Sequence, residues 1–174
     1  SATGMVLLRH AEELQRRGHR VVCVVPADRG DSLKSTSFVT RPNISYKARK
    51  LHNILRGGMV PVRCPWLQAA YPVPILEVPD LSPRHIPDGD ALIAGSAWML
   101  EAVAGYPPAK GRLFYLIQAY ELEAEVNRRR YMLPVRLIAV SSSLRDRITR
   151  TVGIRDIAVV NNGVDLDLFT PDGR

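Results

Sequence analysis

The amino-acid sequence predicts an α/β protein, a doubly wound and mostly parallel sheet with helices on both faces, forming a single domain over residues 1–174. Three observations lead there. The runs Val21-Val22-Cys23-Val24-Val25 and Ala91-Leu92-Ile93-Ala94 are apolar without alternation, the pattern of strands covered by helices on both sides. From residue 88 onward such runs alternate with helical patterns, which implies right-handed βαβ crossovers. A chain of 174 residues, 46% of them hydrophobic, is long enough to bury one good core.

The elements follow in order. Leu7, Leu8, Ala11 and Leu14 fall at helical spacing, Thr3 can cap the start, and Gly18 suits the left-handed position after the last turn. A strand over 21–25 ends at Pro26. Residues 27–45 are polar and rich in hydroxyls, a long loop. A short basic helix over 47–55, with Lys47, Arg49, Lys50 and His52, closes at Gly57-Gly58. Seven prolines between Met59 and Pro87 forbid helix there and leave 73–78 as the best strand. Then come a buried strand at 91–94, a helix over 97–106, a strand at 113–118, a helix within 119–131, a strand at 137–140, a helix over 144–152 ended by Gly153, and a strand at 157–160. The last strand breaks into Asn161-Asn162-Gly163, residues that tolerate positive φ and reverse the backbone sharply.

Composition narrows the classes of function. The formal charge of +7 favours anionic partners without choosing among nucleic acid, a membrane surface and phosphorylated metabolites. The arginine clusters 128–130 and 145, 147, 150 read equally well as solvated helix faces. No apolar run approaches the ~20 residues that span a bilayer, and the start lacks the order of a signal peptide, so a cytoplasmic protein is expected. Cys23 and Cys64 are too few and too differently placed for a disulfide framework, and His10, His19, His52 and His85 show no metal spacing. No metal and no cofactor is expected.

Ligands of an open parallel sheet bind outside the carboxyl ends of its strands. The residues there are Gly95-Ser96, Gln118-Ala119-Tyr120-Glu121, Ser141-Ser142 and Asn162-Gly163, four corners expected on one edge. Each carries a group able to hydrogen-bond hydroxyls, and none pairs a nucleophile with a base. Sugar recognition fits such an edge better than hydrolysis. Structural roles stay open for each: Ser96 and Ser141 as helix caps, Tyr120 as packing, Glu121 as a favourable charge at a helix start. Asp88 and Asp90 precede a strand and lie at the opposite edge.

The strings "DGDALIAGSAWMLEAV", "GRLFYLIQAYE", "RLIAVSSSLRDRI" and "VVNNGVDLDLF" resemble, in order and spacing, family 4 glycosyltransferases of the GT-B fold, in particular bacterial enzymes that build surface polysaccharides or transfer rhamnose or mannose. "FYLIQAYE" is similar to a Tyr-Leu-Ile-Gln-Asp-Tyr-Glu string of that subgroup, with Ala119 in place of the usual Asp. The resemblance implies a Rossmann-like N-terminal domain that binds the acceptor, with residues 162–174 opening the linker to a C-terminal, donor-binding domain that the sequence lacks. It implies metal-independent transfer of a hexose from a nucleoside diphosphate sugar to a glycan, lipid or small-molecule acceptor, and inactivity of this half alone. Gly4 would stand in a loop near the donor phosphates, and Ser96, Gln118, Tyr120 and Glu121 on the acceptor side of the cleft.

The same resemblance implies a strand before Gly4, so a preceding segment or a second copy in a homodimer is expected to cover the open sheet. The reading from another class is a non-catalytic basic module docking on an anionic membrane, at its inner face, or on nucleic acid. Nucleic acid is the weaker of these partners, because the aromatic interleaving of an RNA-binding sheet is missing.

Overall fold

The computed structural model describes residues 2–26, 72–120 and 124–163. The expected polar loop at 27–45, the basic helix at 47–55, Cys64 and Glu121 lie outside them. The chain divides into two compact units, Ser1–Asp90 with Gly105–Gly111, and Ala91–Ala104 with Arg112–Arg174. Among the described residues every strand pairing is parallel, in a two-stranded sheet β1-β2 and a four-stranded sheet β3-β4-β5-β6. Parallel sheets joined by helices give the chain a Rossmann-like α/β character, as the sequence predicts.

The first unit begins with helix α1 (Ala2–Arg16). Gly18 takes φ 89°, its N–H bonds Gln15 O, and the His19 N–H bonds Leu14 O, a Schellman ending that needs glycine at the left-handed position. Thr3 and Gly4 correct an expectation. Because α1 already starts at Ala2, Thr3 is no cap and Gly4 sits in the helix's first turn rather than in a loop before it. Glu13 bridges Arg16 and Arg17 on the solvent side, each at 2.7 Å. Those hydrogen bonds hold its carboxyl down at about 2. On the apolar side Ala11 is buried, but Leu7, Leu8 and Leu14 are only half-buried.

Strand β1 (Cys23–Pro26) pairs with β2 (Ile75–Val78) from Cys23↔Ile75 to Pro26↔Val78. Pro26 belongs to the strand, at its last position, rather than ending it from outside. The run at 21–25 is less buried than its composition suggests, with Val22 38% and Val25 40% exposed. A two-stranded sheet covers little of a strand's surface.

After β2 the chain is held by polar contacts. Asp80 accepts the Ser82 N–H at 2.7 Å and pairs with His85 Nδ1 at 2.9 Å. The Ser82 hydroxyl and N–H, then His85, hold the Asp80 carboxyl at about 2. The segment Gly105–Gly111 of the same unit ties down the rest: Tyr106 donates its hydroxyl to Leu81 O, Gly89 N–H bonds Ala109 O, and Lys110 Nζ reaches Ile86 O and Asp88 Oδ1, both at 2.6 Å. Burial and the Asp80 charge push the Tyr106 hydroxyl pKa up.

The second unit alternates β3 (Ala91–Ala94), α2 (Ala97–Val103), β4 (Arg112–Ile117), α3 (Ala124–Tyr131), β5 (Arg136–Ala139), α4 (Ser142–Val152) and β6 (Ile157–Val159). Its core is dense. Leu100, Ile117 and Ile148 are fully buried, with Tyr115, Leu116, Leu137, Ala139 and Val152 around them. Tyr115 and Tyr131 add a tilted ring pair 6.3 Å apart. Gly153 closes α4 with φ 84°, its N–H on Thr149 O, as its sequence position predicts. Two expectations are corrected. Helix α2 stops at Val103, ahead of Gly105 and Pro107, which cannot continue it. Strand β3, expected to be buried, is an outer strand of this sheet among the described residues, and Ile93 is 43% exposed.

Candidate functional site

The parallel register aligns the carboxyl ends of β3 to β6 along one edge of the second unit. Ala94 stands opposite Tyr115, Ile117 opposite Ala139, and Ala139 opposite Val159. Two further bonds carry the ladder to the corners, Val140 N–H to Ile117 O at 3.2 Å and Val160 N–H to Ala139 O at 3.0 Å. The corners after the four strands, Gly95-Ser96, Gln118 to Tyr120, Ser141-Ser142 and Asn161 to Gly163, are therefore neighbours on one rim. The apolar strands beneath hold them in place.

The corner residues have different surroundings. Ser96 Oγ is buried and, among the described residues, is the one buried side-chain oxygen or nitrogen with no hydrogen-bond partner. It occupies the cap position of α2 without making the cap bond. An orphaned hydroxyl costs stability unless something else pairs with it. Ser141 does cap: its Oγ accepts the Leu144 N–H at 3.2 Å and lies 3.2 Å from Ser143 Oγ. Gln118 is half-buried and already hydrogen-bonded or otherwise engaged. Asn162 and Gly163 are exposed at the end of the described chain. The sharp left-handed reversal expected there is not formed, since Gly18, Gly111 and Gly153 are the only described residues with positive φ. Asn and Gly tolerate that conformation but do not require it.

Tyr120 is bound to α4 rather than pointing free. Its hydroxyl donates to Thr151 Oγ1 at 2.9 Å, and the Arg147 guanidinium lies 4.4 Å from the ring centroid. Thr151 Oγ1 in turn donates to Arg147 O at 2.8 Å. Arg147 and Thr151 did not stand out in the sequence as site residues. Their i, i+4 spacing on one helix puts them on one face, and that was the available signal. Gly4 belongs to the other unit, and Glu121 lies outside the described residues.

The rim thus offers serine hydroxyls, a carboxamide and backbone groups over a buried apolar floor. It suits a ligand rich in hydroxyls. Among the described residues no group of three or more His, Cys, Asp or Glu is placed to hold a metal ion.

A parallel α/β unit with its polar groups gathered at the carboxyl rim is the general form of a ligand-binding Rossmann-like domain. The profile of Glycosyltransferase Family 4 matches residues 3–168, nearly the whole chain. The chain belongs to that family. No match was found among curated proteins or among solved structures.

Proposed function

We propose that this chain is the acceptor-binding half of a metal-independent glycosyltransferase, moving a hexose from a nucleoside diphosphate sugar to a glycan, lipid or small-molecule acceptor. The observation that carries the reading is the single rim of hydroxyl and amide groups, including the unpartnered Ser96 Oγ, in a chain of this family. A rim of this kind orients an alcohol. The charge that develops on the leaving diphosphate needs cationic or N–H donors preorganised around it. In our reading a second domain, joined through residues 162–174, supplies them, and Gly4 in the first turn of α1 approaches the donor phosphates. Rhamnose or mannose transfer in surface-polysaccharide assembly is the proposed setting, in the cytoplasm.

The test is turnover with a panel of nucleotide sugars by the 174-residue chain and by a polypeptide extended through a second Rossmann-like domain. Turnover by the extended form alone, unchanged by a chelator, is expected. Equal turnover by both would remove the two-domain reading, and none by either would remove the transferase reading.

A further inference from the structure

We propose that the amino-terminal edge of the four-stranded sheet docks on an anionic lipid bilayer. This surface is opposite the rim described above, and the proposal does not depend on what that rim binds. The strands of a parallel sheet all begin along one edge. Arg112 opens β4, Arg136 opens β5, and Arg155 and Asp156 directly precede β6. Helix α3 runs back toward this edge, ends at Tyr131, and passes through Met132 to Val135 into β5. The arginine cluster of the sequence therefore reaches the edge at the end of α3.

Two features of this edge point to lipid. The first is Met132, 72% exposed, where the other exposed large hydrophobics among the described residues reach at most 44%. Its N–H bonds Arg128 O at 3.1 Å, so it continues the helical register one turn beyond Arg128 and on the same side. The second is the charge. Of the carboxylates before these strands, Glu101 is held by Arg130 at 2.6 Å, Asp156 by Arg136 at 3.1 Å and Asp88 by Lys110 at 2.6 Å, which leaves the exposed Asp90 against a larger number of arginines. Arg112, Arg128 and Arg155 are exposed around them. A straight, apolar side chain projecting among cations matches the boundary of an anionic bilayer, where the methionine enters the acyl layer and guanidinium groups stay with the phosphates. A nucleic acid would meet the same cations but gain nothing from the methionine. Among the exposed large hydrophobics of the described residues there is no aromatic ring on which a base would stack.

The test is co-sedimentation of the full chain with vesicles of phosphatidylcholine alone and of phosphatidylcholine mixed with phosphatidylglycerol. Binding to the mixed vesicles only, weakening with salt, is expected. Each arginine near the surface changes such binding by about fivefold, so the double variant Arg128→Gln, Arg155→Gln should bind about 25-fold more weakly. Met132→Ser should weaken binding by a few fold while keeping its salt dependence. These side chains are exposed, so the far-ultraviolet spectrum should not change. Three results would overturn the proposal: equal binding to neutral vesicles, no binding to either kind, or binding to the mixed vesicles that the three substitutions leave unchanged. Displacement from mixed vesicles by a single-stranded oligonucleotide, with Met132→Ser without effect, would assign the edge to nucleic acid instead.

Discussion

Two apolar runs of nearly the same character end in different environments. Among the described residues, Val-Val-Cys-Val-Val at 21–25 enters a two-stranded sheet and leaves Val25 40% exposed, whereas Leu-Phe-Tyr-Leu-Ile at 113–117 enters the middle of a four-stranded sheet, where Ile117 is fully buried. Composition is the same cause in both. The difference is the number of neighbours, because a strand is covered only when it has partners on both edges and helices on its faces. Strand β3 makes the same point inside the second unit: it is as apolar as β5 but stands at the sheet's edge, and Ile93 remains 43% exposed. The two units also differ in their bonding. Among the described residues, the second is built on buried aliphatic and aromatic side chains, while the first adds to a smaller buried set, Val73, Ile75, Val78 and Ile86, a chain of polar contacts from Asp80 to Lys110.

The largest expected effect tests this contrast directly. Ile117→Ala should cost about 2–5 kcal/mol in urea unfolding, as a cavity in a dense core does, while Val25→Ala costs below about 1 kcal/mol. Comparable losses would mean that the two sheets are equally packed. The paired serines sharpen the comparison at the rim. Ser141→Ala removes a helix cap and should cost about 1 kcal/mol, whereas Ser96→Ala should leave stability unchanged or raise it, since the hydroxyl it removes has no partner. A larger loss at Ser96 would show that the hydroxyl is already engaged. Gly153→Ala should cost about 1–2 kcal/mol by forcing a side chain into the left-handed region, a loss that Gly153→Asn should partly recover.

The smallest effect belongs to the first unit and is a matter of pH. Asp80 is held at about 2 against an ordinary 3.8, so its contribution is complete above pH 4 and fades as pH falls toward 2. The protection of the Ser82 amide, its exchange rate relative to the intrinsic rate at the same pH, should fall over that interval, and Asp80→Asn should remove that fall. Protection that does not change between pH 4 and 2 would mean that the contact contributes nothing.

Much of this was legible in the sequence because it is local. The helix endings at Gly18 and Gly153, the order of strands from 91 onward and the placement of four polar corners follow from residues close together in the chain. What was not legible depends on contacts between distant residues. Tyr120 meets Thr151 and Arg147 across a helix, and the edge position of β3 follows from pairing that its own four residues do not encode. At Asn162-Gly163 residues that tolerate positive φ adopt none, because tolerance does not impose the conformation.

The central claim is that the carboxyl rim of β3 to β6 recognises sugar hydroxyls. Amide chemical-shift mapping of the chain titrated with methyl rhamnoside and methyl mannoside tests it most directly. The account predicts shifts clustered at Ser96, Gln118, Ser141 and Asn162, and their loss at Ser96→Ala. Shifts centred instead on Arg128, Met132 and Arg136, or none with either sugar, would contradict it.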